Sequence, residues 1–283
     1  MDLVRVRFAT IGALLALVVT TLVVAGCGGT IDPVAQAATR TSDVSSLRFS
    51  MTMKLQVPSV SSPFSIKASG AVDTTAQRLE LTMDLSRLAA LAGQPGALGK
   101  MTIVEDGLVM YMTGGGLSRV LPGGKTWARV DLSQAAGTMG LDPSGLTGGQ
   151  TDPRTSLAQL REAGNVVRIG RQTLNGIATT RYSVLLDLRK GLSNLEGPSR
   201  KMMEQVVDRL DALGGRYVPA DAWIDADGYL RRFHLAIPNY LGSGSSLAIT
   251  MDLFDFGSRV NVSVPQAWQV ADVTSQISSG LGG

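Results

Sequence analysis

One histidine, His234, and one cysteine, Cys27, are the only imidazole and the only thiol in this chain of 283 residues, and that scarcity limits its chemistry at once. A Ser-His-Asp relay has to use His234. It stands in RRFHLAIP, on the strand side that holds Arg232 rather than on the side of Phe233 and Leu235. No G-x-S-x-G elbow supplies a serine, so His234 reads as a solvated strand residue and not as a base. Metal sites built on nitrogen and sulfur need more ligands than these two residues offer. Asp225-Ala226-Asp227-Gly228 opens like a calcium loop but lacks the third acidic position and the closing Glu, so it reads as a hairpin turn. Gly114-Gly115-Gly116 has no further glycine where a dinucleotide loop needs one. Glu80 and Asp84 fall on a polar strand face as solvating charges. No catalytic residue, metal or cofactor is expected, and the chain is not read as an enzyme.

Cys27 carries a different chemistry. Residues 1–7 are short and basic through Arg5 and Arg7, residues 8–24 are almost wholly apolar, and small residues follow, the order of an export signal. The run falls just short of the roughly 18 to 20 apolar residues that a membrane span needs. Val24-Ala25-Gly26-Cys27 resembles a lipobox, where a signal of residues 1–26 is cleaved and the cysteine becomes an acylated first residue. An uncleaved anchor helix with an incidental cysteine is the alternative. Two or three acyl chains on Cys27 anchor firmly, since each buried methylene contributes about 0.8 kcal/mol. With the only thiol consumed by lipid, no intrachain disulfide can form. The expected organisation is a signal (1–26), an acylated terminus with a short tether (27–31) and one domain (32–283), held on the extracytoplasmic face of the cell membrane.

Beyond the signal, 24 basic residues face 22 acidic ones, and the arginines are scattered among few aromatics. No phosphate-tracking stripe or stacking platform is visible, so nucleic acid is not an expected partner.

The elements that position these residues are read from periodicity. Asp32 and Pro33 supply an N-cap and first turn for a short helix ending near Ser45. In LRFSMTMKLQV, residues 47–57, Leu47, Phe49, Met51, Met53, Leu55 and Val57 alternate with polar residues, which a strand allows and a helix does not. FSIKASGAVD, QRLELTMDL, TTRYSVLLDL and SLAITMDLF repeat the pattern as one-sided antiparallel strands. Asp106-Gly107, Asn175-Gly176 and Asp227-Gly228 mark tight hairpins. Helical spacing appears at 152–164 and at 197–215, where Met203, Val206, Val207 and Leu210 share one side before Gly214 and Gly215. Segments 86–99 and 133–151 read as loops, the first with a helical turn at RLAALA. The expected fold is α+β: a strongly curved antiparallel half-barrel of about ten or eleven strands, its concave face covered by a few short helices. Ten methionines outlast the signal, among them Met51, Met53, Met83, Met110, Met112 and Met251 within strands. They suit a deformable lining, or equally an ordinary core.

The lipobox, the short helix, the hairpins from LRFSMTM onward, TWARVDL (126–132), GIATTRYSVLLDL (176–188) and VPADAWIDADGYLRR (218–232) together resemble the actinobacterial LppX and LprG lipoproteins. Those share the half-barrel of the LolA and LolB carriers, and the likeness runs over nearly the whole mature chain. It implies a carrier of acylated lipid or lipoglycan, with a membrane transporter as a further partner and the acyl chains in an apolar mouth between sheet and helices. The lining from the strands is then Phe49, Met51, Met53, Met83, Met110 and Met112, with Phe233, Ile249 and Met251. From the helix come Met203, Val206, Val207 and Leu210. A surface adaptor with a filled core and no ligand is the competing reading.

Overall fold

The computed structural model describes residues 32–58, 63–91, 99–138, 166–192 and 197–276. The signal, Cys27, the tether and the helix expected at 152–164 lie outside them.

One open sheet of twelve strands organises the described residues. Six strands form a first meander: β1 (Ser46–Gln56), β2 (Phe64–Asp73), β3 (Arg78–Asp84), β4 (Lys100–Asp106), β5 (Val109–Gly114) and β6 (Trp127–Asp131). Five form a second: β7 (Val166–Leu174), β8 (Ile177–Asp187), β9 (Tyr217–Asp225), β10 (Leu230–Pro238) and β11 (Ser246–Phe254). The first meander grows outward from β1, the second inward from β7. They join where β11 pairs with β1, Met51 lying opposite Met251. A twelfth strand, β12 (Val270–Asp272), adds parallel to β6 at the far edge.

Twelve strands exceed the expected ten or eleven, and β12 breaks the antiparallel rule. Three residues are too few for a periodic signal; the chain leaves β11, bonds Gly257 N–H to the Ser46 carbonyl at 2.8 Å, and returns to pair with β6. The three hairpins expected at Asp106-Gly107, Asn175-Gly176 and Asp227-Gly228 join β4 to β5, β7 to β8 and β9 to β10. Asn175 and Gly176 both take positive φ (50° and 82°), as a two-residue turn between β7 and β8 requires.

The helices are α1 (Pro33–Ser42), α2 (Ser86–Leu91), α3 (Leu117–Val120), α4 (Leu132–Thr138), α5 (Leu188–Gly191) and α6 (Gly197–Ala212). The Asp32 carboxylate caps α1, accepting from the amides of Val34 (2.8 Å) and Ala35 (3.4 Å). That helix stops three residues before the expected end. α2 covers the helical turn expected at RLAALA, whereas α4 occupies sequence read as loop. There the Asp131 carboxylate accepts from the amides of Ser133 (3.1 Å) and Gln134 (3.2 Å), a capping signal that the glycine and alanine content concealed.

The two faces of the sheet differ in kind. On the outer face, arginine and aspartate pair across strands: Arg78 with Asp106 (2.9 Å), Arg181 with Asp221 (2.8 Å) and Arg232 with Asp252. Trp223 lies between the Arg181 and Arg232 guanidinium groups at 5.2 and 5.9 Å and donates its indole N–H to Gln172. His234 bonds Thr250 at 2.9 Å on this polar face. Half-exposed pairs of this sort contribute about 0–1 kcal/mol each, so the fold rests on the inner face. There one hydrophobic cluster draws residues from α1, α6 and strands β1 to β4 and β8 to β11. Each large apolar side chain buried in it contributes roughly 1.5–3 kcal/mol.

Candidate functional site

The inner face is where the expected lining residues lie, and register decides which of them meet. β1 turns Phe49, Met51 and Met53 inward. Across β11 their partners are Leu253, Met251 and Ile249, and across β2 they are Gly70, Ala68 and Ile66. The pattern passes to β3 through Ala68 opposite Met83, and to β10 through Met251 opposite Phe233. Gly70 fixes one of these side chains. A Cβ there would stand 2.6 Å from the Phe49 ring and 2.0 Å from the Glu80 carbonyl, so the ring occupies the space that a side chain would need.

Ten of the thirteen expected lining residues therefore share one cluster. Phe49, Met51, Met83, Leu210, Ile249 and Met251 are buried in it, and Met53, Met110, Met112 and Phe233 pack against it half-buried. Val207 is buried too, at 3% exposure, but outside that cluster. Met203 and Val206 lie on α6, with side chains outside the described ones. Burial is deepest in the centre, where Met83 is 1% and Met51 3% exposed. Along β5 every residue is half-buried.

α1 and α6 hold their places over this face by polar contacts at their ends. Thr41 Oγ1 accepts from the buried Leu230 amide at 2.9 Å, and Arg40 lies 5.0 Å over the Tyr229 ring. Burial pushes the Asp32 carboxyl up against the two amides it caps, and its Oδ2 is buried without a partner among the described residues. α6 ends in a glycine stop: Gly214 takes φ 77°, and Gly215 N–H bonds the Leu210 carbonyl at 2.7 Å. Asn239 donates to the Leu213 carbonyl at 2.6 Å. Ion pairs tie the helix to α5: Arg189 reaches Asp208 (2.8 Å) and Asp211 (2.7 Å). Below them Asp187 accepts from Arg216 at 3.0 Å and from the Arg189 amide at 3.0 Å. Burial pushes the Asp187 carboxyl up, but the guanidinium and the amide outweigh it and hold the carboxyl below the usual range.

A charged residue on the apolar face escaped the sequence reading. In β4, Met101, Ile103 and Glu105 point the same way, and Glu105 lies between Leu79 of β3 and Met110 of β5. The alternation of KMTIVED carried that signal, since Glu105 has the parity of Ile103. Burial pushes its carboxyl up. Among the described residues no group of three or more His, Cys, Asp or Glu could hold a metal ion, and no helix is long and apolar enough to cross a membrane.

No family model and no curated protein matches the chain in sequence. Solved structures do match in shape. The lipoprotein LppX of Mycobacterium tuberculosis is similar at 16% identity and a TM-score of 0.46, over 82% of this chain and 96% of that one. LprF of Mycobacterium bovis is similar at 16% identity and a TM-score of 0.42, over 84% and 100%. A LolA superfamily protein of Nitrosomonas europaea follows at 9% identity and a TM-score of 0.27, over 82% and 94%. LppX is one of the lipoproteins that the sequence phrases resemble. At these identities no residue role passes from one chain to the other.

Proposed function

We propose that this chain is a membrane-anchored lipoprotein of the cell envelope that binds acylated lipid between the inner face of its sheet and its helices, and carries or presents it. The supporting observation is the contrast between the two faces. One is laced with Arg–Asp pairs, while the other gathers methionine, leucine and phenylalanine into a single surface whose β5 flank, with Met110 and Met112, is only half-buried. Acyl chains bind by removing such area from water at roughly 25 cal/mol per Å² and ask little of shape. Methionine suits that task because its unbranched thioether adapts to varied chains. Cys27 supplies the anchor on this reading, and a membrane transporter that loads or unloads the carrier is a further partner.

The adaptor reading keeps one observation in its favour: Met51, Met83 and Val218 are almost wholly buried by the protein's own atoms. Composition of the purified material separates the two. Full-length protein taken from its own membranes and extracted with organic solvent should yield diacyl or triacyl lipid in a stoichiometric amount. A yield no greater than that of an unrelated lipoprotein prepared in parallel rejects the carrier and leaves the adaptor.

A further inference from the structure

Of the carboxylates in ordered secondary structure, most have a visible reason to be where they are. Asp106 pairs with Arg78, Asp187 with Arg216, Asp221 with Arg181 and Asp252 with Arg232. Asp32 and Asp131 cap helices. Glu105 has no such role. Its carboxyl makes no hydrogen bond or ion pair among the described residues, and its cross-strand neighbours Leu79 and Met110 both pack against the hydrophobic cluster. The nearest strand cation in register, Arg78, stands on the opposite face and is held by Asp106. Glu105 is one residue from the end of β4, beside the turn at Gly107, so it marks the rim of the apolar face rather than its centre.

Glu105 is half-buried and its oxygens stay accessible to solvent, so a head group that arrives at this rim displaces water and has to replace its hydrogen bonds. Hydroxyl groups do so at little cost, because they donate to a carboxylate and also accept from a protonated acid. A phosphate does the reverse. Brought to the same rim, it sets a second negative charge beside the first in a medium that screens poorly.

Resting on the carrier reading, we propose that Glu105 selects the head group. It accepts hydrogen bonds from an uncharged, hydroxyl-bearing acyl lipid of the diacylglycerol type, whose chains lie along the apolar face, and it turns away lipids that end in phosphate. Burial pushes the Glu105 carboxyl up, as its place between Leu79 and Met110 requires.

The test uses full-length protein in phosphatidylcholine vesicles that carry either a photoactivatable diacylglycerol or the matching phosphatidic acid, which differs only by its phosphate. Cross-linked lipid per protein is counted after illumination, and a thermal melt confirms that each variant is folded. The native chain should favour diacylglycerol on the order of tenfold. Glu105→Gln keeps the shape and the hydrogen bonds and should bring the ratio near unity by raising phosphatidic acid capture. Glu105→Lys should invert it. If the native chain captures both lipids and neither variant moves their ratio, the role of Glu105 is overturned while the carrier reading stands. Capture of neither lipid by the native chain overturns both.

Discussion

Replacing Met51 with Asp tests the face assignment most severely when Thr52→Asp is made beside it. Met51 is 3% exposed and stands between Ala68 and Met251 on the apolar face. Thr52, one residue on, is half-buried on the polar face between Lys67 and Thr250. The first change removes a buried thioether side chain, at about 2–5 kcal/mol. It also places a carboxylate where the described neighbours offer no donor, at a further several kcal/mol unless it protonates. The second change sets Asp opposite Lys67, a cross-strand pair of opposite charge worth about 0–1 kcal/mol. For a domain of this size each kcal/mol moves Tm by about 2–4 °C. Thermal unfolding followed by circular dichroism should therefore show Met51→Asp melting at least ~10 °C low, or failing to fold, with Thr52→Asp within a few degrees of the native chain. The sign with pH follows from burial. The new carboxyl has a raised folded pKa, so its ionic penalty is present above that value and disappears as the pH falls toward 4, and the gap between the variants should narrow on acidification. Equal losses in Tm at neutral pH would show the strand phase or its burial to be wrong.

Val207→Trp should leave Tm near the native value while sharply reducing the lipid extracted with the protein, if α6 forms a wall of the lipid site. A filled core would instead lose about 1–3 kcal/mol to overpacking and melt early, which rejects that wall. Cys27→Ser should leave the domain folded, abolish incorporation of labelled palmitate and release the protein from membranes or leave its signal uncleaved. Normal processing and membrane retention in the serine chain, with no palmitate in the native one, reject lipidation at Cys27. Asp187→Asn should cost on the order of 1–2 kcal/mol at pH 7, where the native carboxylate holds Arg216 and the Arg189 amide. A depressed folded pKa means that this stability exists above the unfolded carboxylate value and vanishes as the pH falls through the folded one. Denaturant midpoints of the two chains should therefore converge at low pH, and a gap that persists there contradicts the pairing.

Sequence alone fixed what has a short period. Alternation over two residues assigned Phe49, Met51, Met83 and Ile249 to a single side of their strands, and Asn175-Gly176 set its hairpin, because these depend on neighbours along the chain. It also carried Glu105 on the apolar side, a signal lost among the better matches around it. What joins distant segments was not legible. Nothing local to β1 says that its second partner is β11, roughly two hundred residues later, nor that three residues of β12 would lie parallel to β6. Arg181 meets Asp221 and Trp223 settles between two arginines only once β8, β9 and β10 stand side by side. The physical reason is that each meander leaves a strand in need of a partner, β1 in one and β11 in the other. Pairing them satisfies both rows of backbone groups and joins two apolar half-faces, a gain that belongs to the assembled sheet and to no segment of it.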